Sequence, residues 1–313
     1  MNIDLFPTLH HYTQHKQSIQ HILENVVDEP SKYRHKTKIL HELPLGSKKH
    51  FEYMPLPIQE YIVKKKDWIM KRFILQAYTN IPKVTLFFVY DENDDMNDKG
   101  VMKMSLNLIK SWFGFLSESL KFKTDKELEF YIYFTPFEKQ LPAFYKGEPL
   151  TAIHVNAGYH VVGTQYIYIY RREEWFKLFL HESLHAFESD EADNQEGVVE
   201  TSAILMYRIY GEIMENPWQP LENGMNEECE HVKDLIRKSQ GDALVGQYVL
   251  ERWKRFREWG KCRDSNRTIY RGVPDKSLRG SAMDWTMKVY SMNQKKEKRR
   301  RHLTRKKKGI DET

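Results

Sequence analysis

From residue 83 onward, the hydrophobic positions switch between the period of a strand and that of a helix. KVTLFFVY (83–90) is a short, mostly apolar run rich in β-forming residues, which predicts a buried strand. The polar stretch ENDDMNDKG (92–100) reads as a loop. Over 101–120, Met104, Leu108, Trp112, Leu116 and Leu120 recur every four positions, the stripe of an amphipathic helix. ELEFYIYFT (127–135) predicts a second strand, ended by Pro136. TAIHVNAGYH (151–160) predicts a third, in which Gly158 suits an edge strand or a bulge. After a turn at Gly163, QYIYIYR (165–171) predicts a fourth, with its aromatics in the sheet core. A helix over 173–188 follows at once. Glu173 and Glu174 fall in its first turn, where carboxylates meet the positive end of the helix dipole.

Beyond that helix only further helices are predicted, at 195–215, 226–239, 242–259 and 281–291. The first 80 residues read as a mostly helical extension. Their best helix is 57–78, which opens on Pro57. Four units result: the extension 1–80, an α/β lobe 81–190, a helical C-terminal lobe 191–291, and a tail 292–313 with too few apolar residues to bury and therefore expected to be disordered. The expected fold class is α+β.

A chain of 313 residues, 40% hydrophobic, can build one large domain or two lobes. Its apolar runs, such as LFFVY (86–90), are too short to span a bilayer, so no membrane partner is expected. The opening MNIDLFPTLHHYTQHK lacks a basic start followed by an apolar stretch, which predicts no secretory signal. Cys229 and Cys262 are the two cysteines and form no C-x-x-C pair. This excludes a disulfide scaffold and a cysteine-held zinc, and fits a reducing, intracellular compartment. Phosphate-cradling glycine loops are absent, so nucleotide binding through them is unsupported.

The net charge of +5 conceals an asymmetry. KKEKRRRHLTRKKK (295–308) carries ten Lys and Arg and one Glu, and the remainder holds 39 basic against 43 acidic side chains, a net of −4. A basic tail on a mildly acidic body predicts a nucleic acid or other polyanion as the tail's partner, or a nuclear address.

The chemistry concentrates on the helix over 173–188, which contains His181-Glu182-Ser183-Leu184-His185. At 100° per residue, Trp175, Phe176, Phe179, Leu180, Leu184 and Phe187 occupy one broad face, and both histidines and Glu182 lie on the other. Spacing of four residues sets two imidazoles side by side, as one cation requires. Glu182, offset around the helix, can take a proton from water there. Glu196 and Glu200 open the next helix. In an antiparallel hairpin His185 stands opposite Glu196 and His181 opposite Glu200. One acid can then complete a His, His, Glu site while the other holds the N–H of a histidine.

Here the chain resembles the zincin metallopeptidases, in the branch whose third zinc ligand is a glutamate on the following helix. The resemblance rests on HESLH (181–185), EGVVE (196–200) and VNAGYH (155–160), which is similar to that family's peptide-binding edge strand, and covers 83–215. YIYIYRREEWFKLFLHESLH also resembles zincin-like proteins of large DNA viruses. The resemblance implies a mixed-sheet lobe carrying the motif helix and a helical lobe closing the cleft. It implies Zn2+ held by His181, His185 and Glu196, Glu182 as general base, Glu200 orienting His181, and Asn156 and Ala157 touching a peptide or protein substrate. For the donor that stabilises the oxyanion it leaves His231, Tyr207 and Tyr210 as candidates. A rival branch would take Glu191 as third ligand, but needs a glycine where this chain has Glu188.

The function expected is zinc-dependent peptide hydrolysis. The rivals are a catalytically silent zincin-fold binding or virion structural protein, a hydrolase of some other amide, and a nucleic-acid-associated protein acting through its tail. WKRFREW (253–259) reads as packing plus a basic face.

Overall fold

The structure, a computed structural model, describes residues 5–6, 10–28, 32–76, 78–138, 157–172, 174–187, 196–214 and 254. Asn156, Glu191 and His231, the helices expected from 226 onward and the basic tail lie outside these residues.

In chain order the elements are α1 (His10–Asp28), β1 (His35–Ile39), α2 (Lys48–Phe51), α3 (Leu56–Lys64), β2 (Ile69–Leu75), β3 (Val84–Tyr90), α4 (Lys99–Gly114), β4 (Leu128–Tyr133), β5 (Gly158–His160), β6 (Tyr166–Ile169), α5 (Trp175–His185) and α6 (Glu196–Ile213). The six strands form one mixed sheet in the order β1-β2-β3-β4-β6-β5. β3, β4 and β6 run parallel, and antiparallel pairs flank them on both sides. The class is therefore α+β. Among the described residues no helix is long and apolar enough to cross a membrane.

The parallel strands are buried on both faces, and each face has its own cover. Leu86, Phe88, Phe130, Ile132, Ile167 and Ile169 turn toward α1, α4, α5 and α6 and form the larger core. Val89, Tyr131, Tyr133 and Tyr168 turn the other way, against Phe51 of α2, Ile58 and Ile62 of α3, and Trp68. On that second face four rings lie in register across four strands. Phe87 stacks on Tyr131 at 4.6 Å, Tyr131 on Tyr168 at 5.1 Å, and Tyr168 on Tyr159 at 5.0 Å. The tyrosine hydroxyls are not stranded there. Tyr133 donates to Pro44 O, Tyr168 to Leu45 O and Tyr159 to His50 O. Gly46 closes over this stack at φ +64, and a Cβ on it would stand 2.6 Å from the Tyr168 hydroxyl.

The expected helix over 57–78 is two elements. α3 stops at Lys64, and residues 69–75 form β2, which pairs along its whole length with β3. Lys64, Lys65, Lys66 and Asp67 interrupt the apolar pattern, and Trp68 is pinned by its Nε1–H donating to Ile62 O at 2.9 Å. Pairing with a buried neighbour outweighs a local helical periodicity. Residues 35–75 therefore supply two strands of the common sheet. α1 also belongs to the main core through Tyr12, Ile19, Ile22 and Val26, and is tied to α6 by Tyr12 and Lys16, which both donate to Glu212.

The helix expected over 101–120 begins earlier, because Asp98 accepts from the N–H groups of Gly100 and Val101. It passes into a single wider π-type turn, Phe115–Ser119. α6 joins the same core through Val199, Ala203, Leu205, Met206 and Ile209.

Candidate metal centre

α5 begins at Trp175, two residues after the expected start at 173. Glu174 stands outside the first turn in a left-handed conformation, φ 55. Its carbonyl still accepts from Leu178 N–H, and its carboxylate pairs with Lys177 at 2.9 Å. The apolar face of α5 packs on the sheet, with Phe179 against Phe130 at 4.6 Å. Ser183, between the histidines, accepts a 2.7 Å hydrogen bond from Trp112 Nε1 of α4 and donates to Leu180 O. That buried bond fixes the rotation of the helix.

The face carrying the histidines is covered, not solvent-facing as the helical projection alone suggests. His181 and Glu182 are buried, and His185 is half-buried. The covering elements are α6 and the edge strand β5. α5 and α6 form the antiparallel hairpin, in the register that sets His185 opposite Glu196 and His181 opposite Glu200. Glu196 Oε2 lies 2.9 Å from His185 Nε2, and its Oε1 lies 3.1 Å from His181 Nε2. The two Nε2 atoms are themselves 3.1 Å apart. On the far side of the ring, His181 Nδ1 is 2.9 Å from Glu200 Oε2, although the N–H is not aimed along that line. Glu200 in turn lies 3.8 Å from Lys177 Nζ.

Three ligand-type atoms thus converge on one point, and His181, His185 and Glu196 could hold a metal ion. Their separations suit it. Each Nε2 meets its own oxygen of Glu196, and tetrahedral ligation at zinc–nitrogen distances sets neighbouring ligand atoms about 3.3 Å apart, close to the 3.1 Å between the two Nε2 atoms. The charges point the same way. Three carboxylates, Glu182, Glu196 and Glu200, surround two imidazoles. Burial works against protonation of His181, but the carboxylates of Glu196, Glu200 and Glu182 outweigh it and hold the imidazole well above its ordinary value. Burial works against ionisation of Glu196, and the two histidines overcome it and hold that carboxyl well below its usual range. The pocket demands positive charge, which a divalent cation supplies with both imidazoles neutral.

Glu182 differs from the other acids. Burial pushes its carboxyl up, against the pull of His181 and His185, and Glu196 and Glu200 push in the same direction as burial. A carboxyl raised this way beside two metal-ligand-type histidines is suited to accept and return a proton.

β5 passes directly over Glu182. A Cβ on Gly158 would lie 3.3 Å from Glu182 Oε1 and 2.8 Å from Tyr168 O, so only glycine permits this approach. β5 is the outer strand of the sheet, as expected for 155–160. Ala157, expected to offer a contact to substrate, is buried, and its carbonyl accepts from Tyr170 N–H at 3.0 Å. Val161 N–H likewise donates to Tyr166 O. By the alternation of an antiparallel ladder, Ala157, Tyr159 and Val161 face β6, and the N–H and C=O of Gly158 are directed to the outer edge.

The two tyrosines considered as oxyanion donors both lie against Phe176. Tyr210 is fully buried, with its hydroxyl 3.0 Å from Ser111 Oγ and its ring on Phe176. Tyr207 also lies beside Phe176 and stands two turns beyond Glu200, about 10 Å along α6. Both face the core because the apolar stripe of α6 continues through them. Sequence reasoning missed the Trp112–Ser183 bond and Lys177. Only the helical spacing of Lys177, four before His181, hinted at its place.

Compared with protein-family models, with curated proteins and with solved structures, the chain matches none.

Proposed function

We propose that this chain is a zinc-dependent metallopeptidase. The observation that carries the reading is the convergence of His181, His185 and Glu196, each imidazole Nε2 within 3.1 Å of a Glu196 oxygen and of the other Nε2, beside a buried Glu182 and under the sheet's outer strand. His181, His185 and Glu196 would hold the ion. A zinc ion supplies a Lewis acid for the scissile carbonyl and lowers the pKa of water to about 7. Glu200, on the far nitrogen of His181, keeps that ring turned toward the site. Glu182 accepts a proton from the attacking water on a carboxylate oxygen and returns it to the leaving amine. The outward N–H and C=O of Gly158 pair with an extended peptide laid along β5, which brings a backbone carbonyl over Glu182.

The experiment has two parts. Elemental analysis of protein purified without a His-tag or chelator should give about one zinc per chain, lost in His181→Ala and His185→Ala. Turnover of unfolded casein should vanish in Glu182→Gln while zinc stays bound. Absence of stoichiometric metal after zinc supplementation ends the metalloenzyme reading. Bound zinc without turnover on any peptide leaves a silent binding protein on the same scaffold.

A further inference from the structure

The sheet has a second outer edge, far from the first in strand order, and its chemistry is different. β1 ends the sheet opposite β5, and all five of its residues, His35–Ile39, are exposed. The ladder to β2 determines which backbone groups are used. Leu40 N–H donates to Met70 O, and Gln76 N–H donates to Arg34 O. Residues 34, 36, 38 and 40 therefore face β2. The N–H and C=O of His35, Thr37 and Ile39 are directed outward, and no described element pairs with them.

On one face of this edge the side chains are basic, and among the described residues no acid pairs with them. Arg34, Lys36 and Lys38 share one face, spaced about 7 Å along the strand. Lys38 stands directly opposite Arg72 in register. Like charges in that position destabilise a sheet. On the other face Lys110, only 6% exposed, lies near enough to act on His35, and burial and Lys103 both disfavour its charge. Among the described residues none of Arg34, Lys36, Lys38, Arg72 or Lys110 makes an ion pair, although Lys32 and Lys65 close by in sequence are paired with Glu118, Asp67 and Asp91. The Nε of Arg72 is buried without a hydrogen-bond partner.

We propose that β1 is a docking strand for an extended peptide with acidic side chains at alternate positions. Such a strand pairs its backbone with the outward groups of His35, Thr37 and Ile39. Its acids, on one face at the two-residue period, fall beside Arg34, Lys36 and Lys38. The lysines that repel a neutral or basic strand from an open edge select an acidic one. The open row favours a peptide over a nucleic acid, because phosphates can accept from the outward N–H groups but have no donors for the outward C=O groups, whereas a strand meets both.

The test uses the full chain and a fluorescein-labelled peptide alternating Glu and Thr, with an alternating Lys-Thr peptide and an oligothymidylate as comparisons. The Glu-Thr peptide should bind and slow hydrogen exchange in the segment 34–40, and the Lys-Thr peptide should do neither. Lys36→Gln with Lys38→Gln should weaken binding roughly tenfold. Thr37→Pro should abolish the slowing while leaving the β1–β2 ladder intact, since the N–H at 37 points away from β2. Should Thr37→Pro prevent folding, the lysine pair still decides the matter. The proposal is overturned if the acidic peptide binds without slowing 34–40, which would mark capture by the basic tail. It is equally overturned if the oligothymidylate slows that segment as much, which would make the edge a nucleic-acid site.

Discussion

Gly158 and Glu182 are separated by only the space that a missing Cβ leaves. A methyl group on residue 158 would stand 3.3 Å from Glu182 Oε1 and 2.8 Å from the backbone oxygen of Tyr168. The backbone cannot yield without moving β5 away from β6. Gly158→Ala should therefore cost about 1–3 kcal/mol of stability and, on the proposed reading, lower peptide turnover, with zinc still bound because the candidate ligands come from α5 and α6. Denaturant unfolding and elemental analysis of the same preparation check both halves. An alanine variant with unchanged stability and turnover contradicts the close approach.

Glu196 and Glu200 should separate cleanly. Glu196→Ala removes one of three ligand-type groups and should strip zinc under dialysis. Glu200→Ala removes the carboxylate beside His181 Nδ1 and Lys177 but no candidate ligand, and should weaken zinc about 10- to 100-fold. Competition with a chromophoric chelator measures both. The reverse order would mean that the hairpin binds metal one turn away from the observed register. Loss of zinc on Glu191→Ala, with both other variants loaded, would make Glu191 the third ligand.

Ser183→Ala should destabilise the chain by about 1–3 kcal/mol, because it leaves Trp112 Nε1–H buried without its 2.7 Å acceptor. Trp112→Phe, which removes the donor, should restore part of the loss when combined with it. Additive losses in the double variant would show that the bond contributes nothing specific.

Stability should fall as pH drops below about 6.5, in part through His15. Its ring is buried between Phe6 and Phe115 and bonded to Leu5 O at 2.7 Å. Burial lowers its pKa below the ordinary 6.5, the Leu5 bond opposes this, and His11 adds to it. With the folded value depressed, the unfolded chain takes up the proton first. The stabilisation is complete above 6.5 and is lost as pH falls through the folded value. Unfolding curves at several pH values should show a shallower decline for His15→Leu than for the native chain. Identical slopes would remove His15 from the account.

The parts of this fold that were readable in the sequence are those whose contacts are near neighbours. The i, i+4 histidines of α5 and the E-x-x-x-E of α6 lie on either side of one short connection, and the hairpin register follows from counting residues. β3, β4 and β6 are buried on both faces, so their apolar runs stand out. β1 and β2 do not, because HKTKI carries no apolar face and IMKRFIL fits either period until its partner is known. The burial of Glu182 was equally hidden, since it depends on where β5 passes, a contact between positions 158 and 182 that no helical projection contains.

The pairing of β2 with β3 also limits how the molecule can be dissected. A fragment starting at residue 81 keeps the whole histidine–glutamate cluster and looks like a minimal catalytic piece. Yet it removes the seven-residue partner from β3 and takes α1 off Leu108, Trp112 and their neighbours. What remains is a long, flat apolar strand with its hydrogen-bonding side bare, the profile of an aggregating segment. Shortened versions meant for crystallisation or assay should therefore keep the first eighty residues whole.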